Sequence, residues 1–482
     1  TFLGQLTYTG YAHRYYVDGS PTVGDAYGTF TNVSGVCGSG CWRTVLAGGL
    51  GGGGKGVYAL DVTDPDGTQV SGLAFSENNA PSIALWEFTD SSTPSDMGYV
   101  YGQPIIAKVR NDASDTKYSW AAIFGNGYNS TNENAVLYIL NIKNGSIIGK
   151  IELNPYTAST GNSNGLSAPA VVDTDGDYIA DHVYAGDLRG NLWKIDITGK
   201  NPSDWKSAHK SGSTPKPLFA AVDGTTSTTV EQPISVRPEV GKHPDGQSGY
   251  MVYFGTGRYI ATGDNTTATS PVQTFYGIWD KPYTGSGTPV TRADLLPQTI
   301  TEATVASTTV RQVTDTAIQW RTGNSGTCQS DGSGTCLGWR DDLRTAYADS
   351  AGEKAVSNPV LVGGTVPRIV FTTLVPQTDP CSAGGTGWLM ELNPKNGGRL
   401  AEQVFDITGD GKISSSDMIG GTIPVAGVNP GIGIMPEPTI LRDPANKTDL
   451  KAEAGSTGAV TTLKNYVGST TSGGRQSWRQ LK

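Results

Sequence analysis

Charge is scarce in this 482-residue chain: Asp, Glu, Lys and Arg make up only 16% of it, with a net charge of −9. No run of Lys and Arg occurs, and phosphate binding needs such clusters, so nucleic acid is excluded as a partner. No stretch reaches 18 consecutive apolar residues, so no transmembrane helix is expected. Histidine is rare, and His13, His182, His209 and His243 form no HExxH or other paired metal spacing. No GxSxG element is present. The run GLGGGGKG (49–56) imitates a phosphate loop but has Gly56 where Ser or Thr is needed, and a strand pattern follows instead of a helix. It reads as a hairpin linker.

Cysteine is also sparse. Cys37 and Cys41 lie in GVCGSGCW, Cys328 and Cys336 bracket CQSDGSGTC, and Cys381 stands apart. Neither spacing suits zinc. Two local loop-closing disulfides are expected, which implies an oxidising compartment such as the periplasm or cell surface. The partner of Cys381 stays open. Thr1 begins the chain without a basic and apolar leader, so any signal peptide is expected upstream of it.

What the chain has in excess is glycine (65) and proline (27), beside 21 Tyr, 10 Trp and 10 Phe. Large side chains can build a core, while Gly and Pro punctuate it, so many short strands joined by turns are expected. The order is repetitive. A strand pattern follows each of Pro21, Pro104, Pro169, Pro238, Pro359 and Pro438, at intervals of 65 to 121 residues. A second apolar strand comes next, as in RTVLAGGL, WAAIFGNG, HVYAGD and MVYFGTG, and commonly ends on Gly. A third carries an aromatic near an acid or amide, as in GVYALDV, LYILNI, LWKIDI and FYGIWD, and a weaker fourth closes the unit. Proline suits a strand start, where no ladder donor is needed. Units of four strands at irregular spacing predict an all-β fold, a β-propeller of about six to seven blades with long loop insertions. Residues 1–482 are expected to form one such domain, lacking its first blade strands, with 282–357 as a long insertion. Two stacked sandwiches are the alternative.

Two acidic loops carry the chemistry. In VVDTDGDYIADHVYAGD, Asp173, Asp175, Asp177 and Asp181 fall at positions 1, 3, 5 and 9, with Ile179 at position 7. Alternate carboxylates and one backbone carbonyl are the oxygen donors that a hard cation such as Ca2+ requires. Without a cation, each close pair of carboxylates repels by up to about 4 kcal/mol at an effective dielectric near 20. Position 6, usually Gly, is Tyr178, so this is a shorter strand-to-strand loop and not an EF-hand. In FDITGDGKISSSDM, Asp406, Thr408, Asp410, Lys412 (by its carbonyl), Ser414 and Asp417 take positions 1, 3, 5, 7, 9 and 12. That is the twelve-residue calcium spacing with Asp at the last position, expected between two blades and weaker for the shorter reach. Solvated Asx-turns or polar turns are the alternatives for both loops.

HRYYVDGSPTVGDAY (13–27), GLGGGGKGVYALDVTDP (49–65), AGDLRGNLWKID (185–196), VYFGTGRYI (252–260), TFYGIWD (274–280) and GRQSWRQLK (474–482) resemble the C-terminal region of PilY/PilC-type type IV pilus tip proteins. The resemblance spans nearly the whole chain. It implies a seven-bladed quinoprotein-like propeller, cut short at its start, whose nine-residue calcium loop maps onto Asp173, Asp175, Asp177, Ile179 and Asp181. It further implies a bacterial cell-surface or pilus-tip protein, reached through the periplasm and outer membrane. Its expected partners are the minor pilins of the tip complex and a host or abiotic surface. Calcium would control pilus extension against retraction, adhesion and twitching motility. A quinone- and calcium-dependent dehydrogenase on the same scaffold is the competing class. It would need a calcium beside the quinone in the central channel, and no adjacent Cys-Cys pair of the quinoprotein kind is present. Fold alone does not confer that activity.

Overall fold

The structure, a computed structural model, describes residues 7–466 except 8, 13, 35–36, 94, 113–116, 154–162, 225–229, 262, 266–270, 283–288, 344–350, 365, 378–383 and 444–447. Cys381 and His13 fall outside the described residues. Strands dominate, and the one α-helix among the described residues is the short Ala80–Ile83. None of the described helices is long and apolar enough to cross a membrane. Two compact units divide the chain, Thr1–Asp181 with Ile197–Lys206, and His182–Asp196 with Ser207–Leu481.

The first unit holds two four-stranded antiparallel sheets. One is β1 (Thr22–Gly28), β2 (Cys41–Gly49), β3 (Val57–Asp61) and β4 (Ala84–Phe88); the other is β5 (Ile105–Arg110), β6 (Tyr118–Gly125), β7 (Val136–Asn141) and β8 (Ile147–Glu152). Position in the sheet explains composition. β7, VLYILN, lies inside its sheet and is buried along almost its whole length, whereas the edge strand β8 alternates between faces. Ala26, Val45, Ala59 and Trp86 of the first sheet share a core with Trp120, Phe124 and Tyr138 of the second. The glycine run 50–56 links β2 to β3, as expected of a hairpin linker. Strand β9 (Ala170–Val172) follows.

The second unit begins with the hairpin of β10 (His182–Gly186) and β11 (Asn191–Asp196). The Asp187 carboxylate ties this turn, accepting from the backbone N–H groups of Arg189 and Asn191, from Asn191 Nδ2 and from Trp193 Nε1. A five-stranded sheet combines Glu239–Lys242, Tyr250–Gly255, Thr274–Asp280, Gly338–Asp342 and Leu296–Gln298, the last pair parallel. A six-stranded sheet runs Ile300–Val305, Thr308–Val313, Gly427–Val428, Leu389–Leu392, Arg368–Thr372 and Val360–Val362. Thr439–Asp443, Thr448–Ala454 and Val460–Tyr466 form a three-stranded sheet.

All six prolines of the repeat directly precede a strand: β1, β5, β9 and the strands starting at Glu239, Val360 and Thr439. The glycine ending the second strand also has a physical reason. A Cβ on Gly49, Gly125, Gly186 or Gly255 would lie 2.2–2.4 Å from the chain entering the next strand group, at Val100, Ser167, Ile234 and Ala355 respectively. At Gly49 and Gly125 the atom met is a backbone carbonyl oxygen, and at Gly186 and Gly255 it is the side chain of Ile234 or Ala355; only a glycine leaves room for so close an approach.

The stretch 282–357, expected as a loop-like insertion, instead supplies strands to two sheets: Leu296–Gln298 and Gly338–Asp342 to one, Ile300–Val305 and Thr308–Val313 to the other. Arg292 pins it, donating to both Asp342 carboxylate oxygens at 2.7 and 2.8 Å and to the Tyr276 hydroxyl at 2.7 Å. Asp341, its neighbour in sequence, is fully buried, and neither carboxylate oxygen has a hydrogen-bond partner among the described residues. Burial, reinforced by Asp342, pushes its pKa well above the ordinary value despite the opposing charge of Arg340. A raised folded pKa stabilises below the unfolded pKa near 4, and that contribution is lost as pH rises. Asp341→Asn removes this titration, so the variant's stability relative to the native chain is expected to increase between pH 4 and pH 7. Thermal melts of both proteins at the two pH values check this, and a constant difference contradicts it.

Candidate functional site

The first acidic loop connects β9 to β10 and is wrapped by its own backbone. The Asp173 carboxylate accepts from the N–H groups of Gly176 (2.7 Å) and Tyr178 (2.9 Å). Asp175 accepts from Asp177 N–H, and Asp177 from Ile179 N–H. Asp181 closes the neck: its N–H donates to the Val172 carbonyl, and its carboxylate accepts from Thr174 N–H at 2.8 Å and Thr174 Oγ1 at 2.6 Å. Tyr178 sits at φ 66°, in the left-handed region that favours glycine, while its ring is 52% exposed and buries little in return. A non-glycine residue held there costs on the order of 1 kcal/mol.

This wrapping gathers one oxygen each from Asp173, Asp175 and Asp177 within 4.8 Å of one another. It is the one such acidic or metal-ligating cluster among the described residues. Asp173 is buried, whereas Asp175 and Asp177 are exposed. Asp181 lies outside that cluster with one oxygen engaged by Thr174. The Ile179 carbonyl accepts no hydrogen bond among the described residues, which leaves it open as a position 7 donor. Hard oxygen donors in this number and spacing suit Ca2+.

A residue missed in the sequence stands against the loop. Arg110 ends β5, and its guanidinium lies 2.8 Å from Asp177, 3.6 Å from Asp181 and 3.7 Å from Asp175. The loop reaches β5 through the Ala180 N–H, which donates to the Lys108 carbonyl at 2.9 Å. Burial acts to lower the Arg110 pKa, but Asp177, Asp181 and Asp175 hold it above its ordinary value. No local pattern marks Arg110, because it is 67 residues from Asp177 in sequence.

The second loop repeats the same wrap. Asp406 accepts from the N–H groups of Gly409 and Gly411, as Asp173 does at the matching positions. Asp410 accepts from Lys412 N–H. Asp417 is fully buried and accepts from the N–H groups of Ile407 and Thr408, from Thr408 Oγ1 and from Ser414 N–H. Burial works to raise its pKa, yet these donors hold it below the usual carboxylate value. Asp406, Asp410 and Asp417 do not form a cluster of the kind seen in the first loop. The loop was expected between blades. It instead joins Leu389–Leu392 to Gly427–Val428, which are neighbours in one sheet.

Both expected disulfides are present, Cys37–Cys41 and Cys328–Cys336. His243 packs against Trp279 and Trp320 at 4.6 and 4.3 Å, and its Nδ1 accepts the Asp245 N–H.

Among known proteins, the family model of the PilY1 beta-propeller domain matches residues 2–311. A type IV pilus biogenesis factor PilY1 homolog of Xylella fastidiosa is 40% identical over 413 residues, covering 83% of this chain and 24% of that protein. The type IV pilus biogenesis factor PilY1 of Pseudomonas aeruginosa is 33% identical over 505 residues, covering 99% of this chain and 39% of that protein. The chain thus spans between a quarter and two fifths of the length of these relatives. The crystal structure of the Pseudomonas aeruginosa PilY1 C-terminal domain is similar with a TM-score of 0.69 and 30% identity, over 95% of this chain and 86% of that one. The fold class is accordingly an all-β propeller.

Proposed function

The chain belongs to the PilY1 beta-propeller family, and from that membership we propose that it is the calcium-binding, non-catalytic propeller of a type IV pilus biogenesis factor. It acts outside the cytoplasm, at the cell surface or pilus tip, with the minor pilins of the tip complex and a host or abiotic surface as partners. The two disulfides support the oxidising location. The relatives' role in pilus biogenesis supports a function without catalysis.

The observation that carries the calcium reading is the convergence of Asp173, Asp175 and Asp177 in the 173–181 loop. Asp173, Asp175, Asp177 and Asp181 with the Ile179 carbonyl would hold Ca2+, which neutralises the carboxylates and fixes the loop. Asp406, Thr408, Asp410, the Lys412 carbonyl, Ser414 and Asp417 would hold a second ion. Occupancy of the first loop shifts the pilus between extension and retraction, and so affects adhesion and twitching motility. Asp175→Asn is the appropriate test, since Asp175 is exposed and its own hydrogen bond is local. Calorimetric titration is expected to show calcium binding at least about tenfold weaker in that variant, as charge count sets affinity. Equal affinity would remove the 173–181 loop as a calcium site.

A further inference from the structure

We propose that Arg110 is a tethered counter-cation that competes with Ca2+ for the 173–181 carboxylates and thereby sets the calcium concentration at which the loop fills. This rests on the calcium reading above and adds a regulator to it. The guanidinium reaches three of the four aspartates, at 2.8, 3.6 and 3.7 Å, from a different strand. Its side chain is 27% exposed, and its partners range from Asp181 at 3% to Asp177 at 36% and Asp175 at 59%, so salt screens the Asp181 contact least. Arginine stays charged at every physiological pH, so no proton equilibrium removes it. A divalent ion in the same carboxylate cluster must work against that charge or displace it.

The second loop offers an internal contrast. It shares the wrap of its first aspartate, but among the described residues no cation forms an ion pair with Asp406, Asp410 or Asp417. The counter-cation is therefore a feature of one loop and not a requirement of the wrap.

The consequence reverses the usual expectation for losing a contact to a binding site. Removing Arg110 leaves the metal-free carboxylates repelling one another and takes a repulsive charge away from the ion, and both changes favour calcium. Titration of the whole chain with CaCl2 alone, for native protein, Arg110→Gln, Arg110→Lys and Asp175→Asn, tests this. Arg110→Gln is expected to bind at least about tenfold tighter, as one unit charge within 4 Å carries that much at a partly exposed site. Arg110→Lys keeps the charge and stays within about threefold of native. In calcium-free buffer, hydrogen exchange of the 173–181 amides is expected to quicken in Arg110→Gln and not in Arg110→Lys.

If the native chain binds through Asp175 but Arg110→Gln binds equally or more weakly, the counter-cation is refuted while the calcium site stands. If neither native chain nor Arg110→Gln binds at about 10 mM, the calcium reading fails and takes this proposal with it. Binding detected only in Arg110→Gln supports both.

Discussion

Glu391→Ala is expected to destabilise the folded chain by about 3–5 kcal/mol, the range for stranding a buried charge. Glu391 lies in Leu389–Leu392 and pairs with Arg368 Nε at 2.9 Å and with Lys451. Arg368 also pairs with Asp449. All four side chains are 0–1% exposed, so two cations and two anions balance one another away from the surface. Asp449 and Lys451 come from Thr448–Ala454, so the quartet joins the six-stranded sheet to the three-stranded one. Alanine at 391 leaves one uncompensated positive charge there, and the cavity adds to the loss. Chemical denaturation at neutral pH measures the change. A loss under about 1 kcal/mol would mean that water or a rearranged Asp449 compensates, against the buried-quartet account.

Arg311→Met is expected to cost a similar amount, about 3–5 kcal/mol. The guanidinium makes a two-bond fork to Glu353 at 2.6 and 2.7 Å and lies 4.2 Å from the centre of the Trp388 ring. Both partners are 0–1% exposed. The single substitution leaves Glu353 buried without its guanidinium partner. The double variant Arg311→Met, Glu353→Leu removes both charges together, and most of the lost stability is expected to return, because an apolar pair avoids the desolvation penalty. Denaturation midpoints of the two single variants and the double variant form the cycle. Additive losses would show that the fork is not the source of the effect.

These two networks also explain what could not be read from the sequence. The Pro-led strands were legible because each carries its own marks: a proline, an apolar run and a terminal glycine that makes room for a neighbouring backbone. The 173–181 loop was legible for the same reason, since its donors are spaced within nine residues of one another. Thr448–Ala454 carries no such mark: Asp449 and Lys451 are charged residues in its sequence, yet both are buried against Arg368 and Glu391. The strands within 282–357 are hard to read because Thr, Gly and Ser obscure their alternation. Yet Arg292, Gln298 and Arg311 bind groups brought from far along the chain. Arg110 follows the same rule at the candidate site. Local spacing marks the carboxylates of the loop, while the cation that faces them comes from another strand.

The interleaved six-stranded sheet has a kinetic consequence. In the first unit, β1–β4 and β5–β8 pair only with their neighbours in order, so each sheet can zip up as its own residues emerge. The sheet between Ile300 and Val428 places Gly427–Val428 between Leu389–Leu392 and Thr308–Val313. Its first hairpin must therefore wait, with one edge unpaired, until more than a hundred residues have followed. Non-local pairing of this kind is slow and leaves a sticky edge exposed meanwhile. This is the step at which the folding chain is most exposed to association, so chains ending before Val428 are expected to aggregate more readily than the whole chain.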